Sequence, residues 1–154
     1  VSITMDKSGD MVRFKADDID YYTAPNNQGY EGTLTIARTP DEFRSDVLGE
    51  EKTDGGVMIE SADAKTKRIA LLFEFQGDVK ATRHLLYYCS VDRPSISSTT
   101  KDSGDPNTTE LAIVASPRPD NNLVKTKTTE TTKTQIYDNW YKKVYEKESE
   151  IESA

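Results

Sequence analysis

The sequence predicts a mainly β chain (α+β class), with a short helix at about residues 40–48 and a second, C-terminal helix at about 133–147. Three observations carry this. Ile69, Leu71, Phe73 and Phe75 recur at every second position of one apolar run, and Leu85, Tyr87, Cys89 and Val91 do so in the next. That is the period-two pattern of strands. Gly77-Asp78 lies between the two runs as a turn signal, so together they predict a long β-hairpin. Helix-start chemistry, by contrast, shows at only two places, at Thr39 and at Thr132.

The remaining elements follow in order. Val1, Ile3 and Met5 alternate as a first strand, the turn cluster Asp6-Lys7-Ser8-Gly9-Asp10 follows, and Met11 to Phe14 resumes in β fashion. Asp17 to Gly29 (DDIDYYTAPNNQG) reads by its breakers as a loop or splayed hairpin, yet it carries Ile19, Tyr21 and Tyr22. Apolar and aromatic side chains on a loop fold back onto the core or contact a neighbour. Tyr30 to Ala37 is a strand with Leu34 and Ile36 inward and Thr33 and Thr35 outward. Thr39 as N-cap, Pro40 at the first helical position and Glu42 closing a capping box then start the first helix. Phe43, Val47 and Leu48 give it an apolar stripe, and Gly49 ends it.

Val57 to Glu60 is a short strand before the long hairpin. Ser95 to Thr108 is a long exposed loop, Leu111 to Ala115 a strand, and Leu123 to Thr128 an edge strand guarded by Lys125 and Lys127. Thr132 and Gln135 box the start of the last helix, where Ile136, Trp140 and Val144 fall at i, i+4 and i+8. The acidic stretch 146–154 is expected to be an exposed tail.

Ala70, Leu72, Leu86 and Tyr88 make the second faces of the hairpin partly apolar as well. Strands apolar on both faces need cover on both sides. The expectation is that one face lies on the chain's own core and helix, while a neighbouring subunit completes the other face or edge.

Composition narrows the function. The 154 residues match one domain, 1–154, and 34% hydrophobic against 31% charged residues is lean but sufficient for a modest core. A net charge of −7 argues against a broad basic surface that grips nucleic acid. One cysteine, Cys89, excludes an internal disulfide and reads as a packing thiol on the hairpin. No apolar run approaches the ~20 residues of a membrane-spanning helix. The chain opens at Val1 within a strand pattern, so a further upstream segment is expected.

Catalytic chemistry finds little support. His84 is the sole histidine and sits beside Arg83 on the hairpin, where packing is the plainer role. No G-x-S-x-G, P-loop or G-x-G-x-x-G motif occurs, and no Cys/His set fits zinc. Asp17-Asp18-Ile19-Asp20 lacks the alternating ligands and central glycine of a calcium loop. No enzyme, cofactor or metal site is expected.

Three segments nevertheless resemble a known family in order and spacing. They are ADDIDYYTAPNNQGYEGTLTIARTPDEFRSDVLGE (Ala16 to Glu50), RIALLFEFQGDVKATRHLLYYCSVDRPS (Arg68 to Ser95) and NNLVKTKTTETTKTQIYDNWYKKVY (Asn121 to Tyr145). The sequence is similar to the major tail proteins, or tail-tube proteins, of long-tailed non-contractile bacteriophages of Gram-positive hosts. The resemblance implies an antiparallel β-sandwich or half-barrel with a flanking helix, assembled as stacked hexameric rings into a hollow tube. It implies a virion protein built in the host cytoplasm, with itself, tail terminator, distal tail and tape-measure proteins as partners. DNA would pass through the lumen without specific binding and no membrane would be involved. The family carries a further N-terminal segment before the part matched by Val1.

Stacked rings need a protruding contact element, and Asp17, Asp18, Ile19, Asp20, Tyr21, Tyr22 and Tyr30 are the candidate assembly residues. Two rival readings remain at this point. One is the tube of a tail-like bacteriocin or secretion-type injection machine. The other is a β-sandwich module that binds a host receptor or carbohydrate, which would need an exposed aromatic platform.

Overall fold

A computed structural model of the protein describes residues 1–16, 19–77, 79–97 and 107–147. The strands are β1 (Ser2–Lys7), β2 (Val12–Ala16), β3 (Ile19–Ala24), β4 (Tyr30–Ile36), β5 (Glu51–Lys52), β6 (Met58–Ile59), β7 (Ile69–Glu74), β8 (Arg83–Val91), β9 (Thr109–Ala115) and β10 (Lys125–Lys127). Two short helices, α1 (Asp41–Asp46) and α2 (Thr134–Asp138), complete the described elements. The expected class holds: an antiparallel, curled half-barrel sheet dominates.

β8 is the spine of that sheet. β7 pairs along one side of it, Leu71 opposite Leu86 and Phe73 opposite His84. The other side is shared, with β9 beside Cys89–Val91 and β10 beside His84–Leu86. β9 passes on to β4 and β4 to β1, all antiparallel. Among the described residues, the outer strands β1 and β7 each pair on one side only.

The core on the concave side is built from facing positions. Leu34 lies opposite Leu111 and Gly32 opposite Ile113, while Val91 lies opposite Ile113. Val91, Leu111 and Ile113 form one buried cluster with Leu48, Leu86, Cys89 and Ala115, against which Leu34 and, from the α1 region, Phe43 and Val47 also pack. At six residues α1 is too short to persist alone, and this docking is what holds it. Its start differs from expectation. Pro40, with φ −61 and ψ 148, occupies the cap position, no side chain caps the helix, and the Thr39 hydroxyl is buried without a partner.

The hairpin runs as expected, but its faces do not. Leu85 and Tyr87 face one side together with Ala70 and Leu72, whereas Cys89 and Val91 face the other with Leu86. The cause is a register shift between Ile69 and Leu71, which puts one extra residue on β8. A single inserted residue exchanges the two faces of everything beyond it. The alternation Leu85, Tyr87, Cys89, Val91 is therefore split in the middle.

The second face is also covered from within the chain, where a neighbour was expected. Trp140 completes a cluster with Leu85 and Tyr87, and Ile136, Leu123, Val144 and Tyr145 pack around it. Polar ties fasten this C-terminal segment to the sheet. The Tyr87 hydroxyl bonds the Tyr145 carbonyl at 2.8 Å and the Thr126 hydroxyl at 3.0 Å, and the Tyr137 hydroxyl donates to the Ala81 carbonyl at 2.8 Å. Among the described residues, what the hairpin leaves for a neighbour to complete is the outer edge of β7.

The segment itself is less helical than its spacing suggests. α2 covers five residues and ends at Asn139, well short of residue 147. The Asn139 amide donates to the Gln135 carbonyl at 2.8 Å and Arg83 takes the Tyr137 carbonyl, acceptors that the next helical turn would need. Aromatic and β-branched residues in YDNWYKKVY do little to oppose this. Thr132 does not cap α2 either; its hydroxyl accepts from the Thr129 N–H at 2.8 Å.

Candidate functional site

The groups with the greatest chemical potential are packing groups. His84 stacks on Phe73 at 5.1 Å between ring centroids and meets Phe75 edge-on at 5.7 Å. Its pKa is lowered, by burial first and then by the nearby Lys125 and Lys127. The Cys89 thiol is fully buried, and burial pushes its pKa up to about 11. A neutral, inaccessible thiol is no nucleophile. Among the described residues no group of three or more His, Cys, Asp or Glu lies together as a metal site would require.

What the fold presents instead are surfaces, of which the first is an arm. β2 and β3 pair with each other, Val12 opposite Ala24 and Ala16 opposite Ile19, and form a sheet separate from the main one. The stretch read as a loop or splayed hairpin is thus a hairpin from Ile19 onward. Its base is clamped where the Ser8 N–H donates to the Gly29 carbonyl at 2.9 Å and the Gln28 N–H to the Ser8 carbonyl at 3.0 Å. Strands of this length carry the Ala16–Ile19 end roughly 17–20 Å from that base. Of the candidate assembly residues, Ile19, Asp20, Tyr21 and Tyr22 lie on β3, and Asp17 and Asp18 lie outside the described residues. Tyr30 is apart from them at the start of β4, half-buried against the concave core with the Lys125 ammonium 4.8 Å from its ring centre.

The second surface is the side of β1, β4 and β9 that faces away from the concave core. Antiparallel register puts Ser2, Thr4 and Asp6 beside Thr35, Thr33 and Glu31, and these in turn beside Glu110, Ala112 and Val114. These strand positions hold three carboxylates, Asp6, Glu31 and Glu110, and no lysine or arginine. Hydroxyls and small side chains fill most of the rest. Such a face attracts neither phosphate nor apolar surface strongly.

The third is a groove of about 170 Å³ on the concave side, walled by Ile3 and Met5 of β1 and by Phe73 and Phe75 at β7. Phe75 is 53% exposed there. Lys125 lines the groove, and β10 register places Lys127 beside His84 on the same face.

Among the described residues, the outer edges of β1 and β7 are unpaired and the β2–β3 arm stands apart from the main sheet, surfaces suited to assembly. Comparison with known proteins agrees: the sequence profile of the phage tail tube protein family matches residues 2–153. The chain belongs to that family. Searches of curated proteins and of solved structures returned no match. As a phage tail tube protein it is a structural component of the virion tail. Membership accounts for the polar face and the arm better than a carbohydrate-binding role does, since Trp140, the sole tryptophan, is 3% exposed beneath its own segment.

Sequence reasoning missed two parts of this tail tube protein. Lys125 and Lys127 were legible only as edge guards, because their shared face with His84 depends on β10 register. Asp6, Glu31 and Glu110 are scattered in sequence and meet only through pairing of β1, β4 and β9; the polar alternation of each strand is the signal that could have found them.

Proposed function

We propose that this chain forms, as one tail-tube domain over 1–154, the wall of a hollow tube made of stacked hexameric rings, through which DNA passes from capsid to host. The match of the tail tube family along residues 2–153 carries this reading. The ring number and the further partners (tail terminator, distal tail and tape-measure proteins) come from the resemblance, as does assembly in the host cytoplasm before incorporation into the virion.

The physics of the surfaces supports it. β1 and β7 are open edges at opposite ends of one curled sheet. Edge-to-edge pairing around a ring is a heterologous contact, and a rotation that closes yields a cyclic oligomer in which no edge is left to aggregate. The acidic, small-residue side of β1, β4 and β9 faces the lumen. Its carboxylates hold phosphates off over roughly 8–10 Å at physiological salt. DNA then slides without finding a cation to pause on.

In this arrangement the β2–β3 arm reaches the adjacent ring, with Asp17, Asp18, Ile19, Asp20, Tyr21 and Tyr22 at the contact and Tyr30 at its root. Replacing Tyr21→Ala and Tyr22→Ala together is expected to block ring stacking while circular dichroism and the melting transition stay near those of the parent. A loss of global folding in that variant would instead make these tyrosines part of the core.

A further inference from the structure

We propose that the concave groove at Phe73, Phe75 and Lys125 is the receptor for the β3 end of the arm of a neighbouring copy. The proposal rests on the tube reading and adds the seat that the arm occupies. Complementarity argues for this occupant. The groove offers an apolar floor and walls, with Lys125 at the wall and Lys127 beside His84 on the same face. Neither lysine has a carboxylate within ion-pair distance among the described residues. Lys125 instead rests on the Tyr30 ring, and the two ammonium groups both bear on His84. A pair of cations with no ion-pair partner among the described residues, beside an exposed phenyl ring, calls for a ligand that is at once acidic, apolar and aromatic. Within this sequence, Asp17-Asp18-Ile19-Asp20-Tyr21-Tyr22 is such a segment.

Reach then decides between the same copy and another. Tyr30 lines the groove and also begins the strand that follows the arm, so the groove lies at the arm's own root. The Ala16–Ile19 end stands roughly 17–20 Å along the hairpin from that root. The seat it can fill is the equivalent groove of an adjacent copy. Carboxylates meeting desolvated lysines would fix the register of that contact, and the aromatic packing would supply most of its affinity.

The test uses the full chain. Lys125→Glu with Lys127→Glu is expected to raise the concentration needed for tube formation by roughly tenfold or more. Asp17→Lys, Asp18→Lys and Asp20→Lys together should do the same. Mixing the two variants, in which each arm defect meets a matching groove defect, should restore assembly. Folding is checked in each by the far-ultraviolet spectrum and by the protection of the buried Cys89 thiol.

Should either charge variant fail to fold, a second measurement decides. Asp20→Cys chains mixed with Lys125→Cys chains should yield a dimer-sized product with a short bifunctional maleimide, since Cys89 itself is buried. The proposal is overturned if both folded charge variants form tubes at the parent's threshold, or if tubes assemble without any such cross-link. It is also overturned if a chain carrying both Asp20→Cys and Lys125→Cys cross-links only within itself, or if another protein proves to fill the groove in the tube. A parent chain that forms no rings or tubes contradicts the underlying reading as well, which separates the two failures.

Discussion

Trp140→Ala is expected to cost about 3–5 kcal/mol, the range for emptying a buried aromatic site. Trp140 is the keystone of the cluster that covers the outer face of the hairpin. Its ring stacks on Tyr145 at 5.9 Å, and its indole N–H reaches the His84 carbonyl at 3.4 Å. Removing it leaves Leu85, which is fully buried, facing a void. It also loosens a C-terminal segment whose five-residue helix has no independent stability. Against a typical total of roughly 5–15 kcal/mol, the loss should be plain in urea as a lowered midpoint with a near-constant slope. A change below about 1 kcal/mol would mean that the segment does not pack as described.

Gly29→Ala should be nearly as damaging, for a different reason. Gly29 holds φ at +99°, and a Cβ there would lie 1.8 Å from the Ala115 carbonyl oxygen. The backbone conformation costs a residue with a side chain about 1–2 kcal/mol, and the overlap costs about 1–3 kcal/mol more. The same residue anchors the arm: its N–H donates to the Asn27 side chain at 2.9 Å, and its carbonyl receives the Ser8 N–H. Melting of Gly29→Ala should therefore fall well below the parent. Gly55→Ala, whose Cβ would meet nothing closer than 3.9 Å, serves as the control and should stay within about 0.5 kcal/mol.

These two residues show how far the sequence could be read. The stripe Ile136, Trp140, Val144 marked side chains that pack, but the outer face they cover was expected to fall to a neighbour, and the helix that spacing implied stops at Asn139. Burial responds to which side chains are apolar, while helix length answers to competing hydrogen bonds from Asn139 and Arg83, which composition does not display. The hairpin was legible strand by strand, but the faces of Cys89 and Val91 were not. A bulge leaves no mark on the alternation of hydrophobic residues when both faces are apolar.

NNQGYEG illustrates the converse. It lies within the family-like segment Ala16 to Glu50, and its physical content emerges only with the fold. Gly29 adopts a conformation and position closed to other residues, and a Cβ on Gly32 would lie 1.8 Å from the Thr4 carbonyl oxygen of β1. The assembly surfaces were least legible of all. The arm's composition was readable as contact material, whereas the acidic side of β1, β4 and β9 and the lysine-flanked groove arise from register alone.

Electron microscopy of the purified chain across a concentration series, carried to a reconstruction of whatever assembles, tests the central claim most directly. The account predicts rings and hollow tubes in which Asp6, Glu31 and Glu110 line the channel. A protein that stays monomeric at every concentration, or a tube whose channel is lined by a net basic surface, would contradict it.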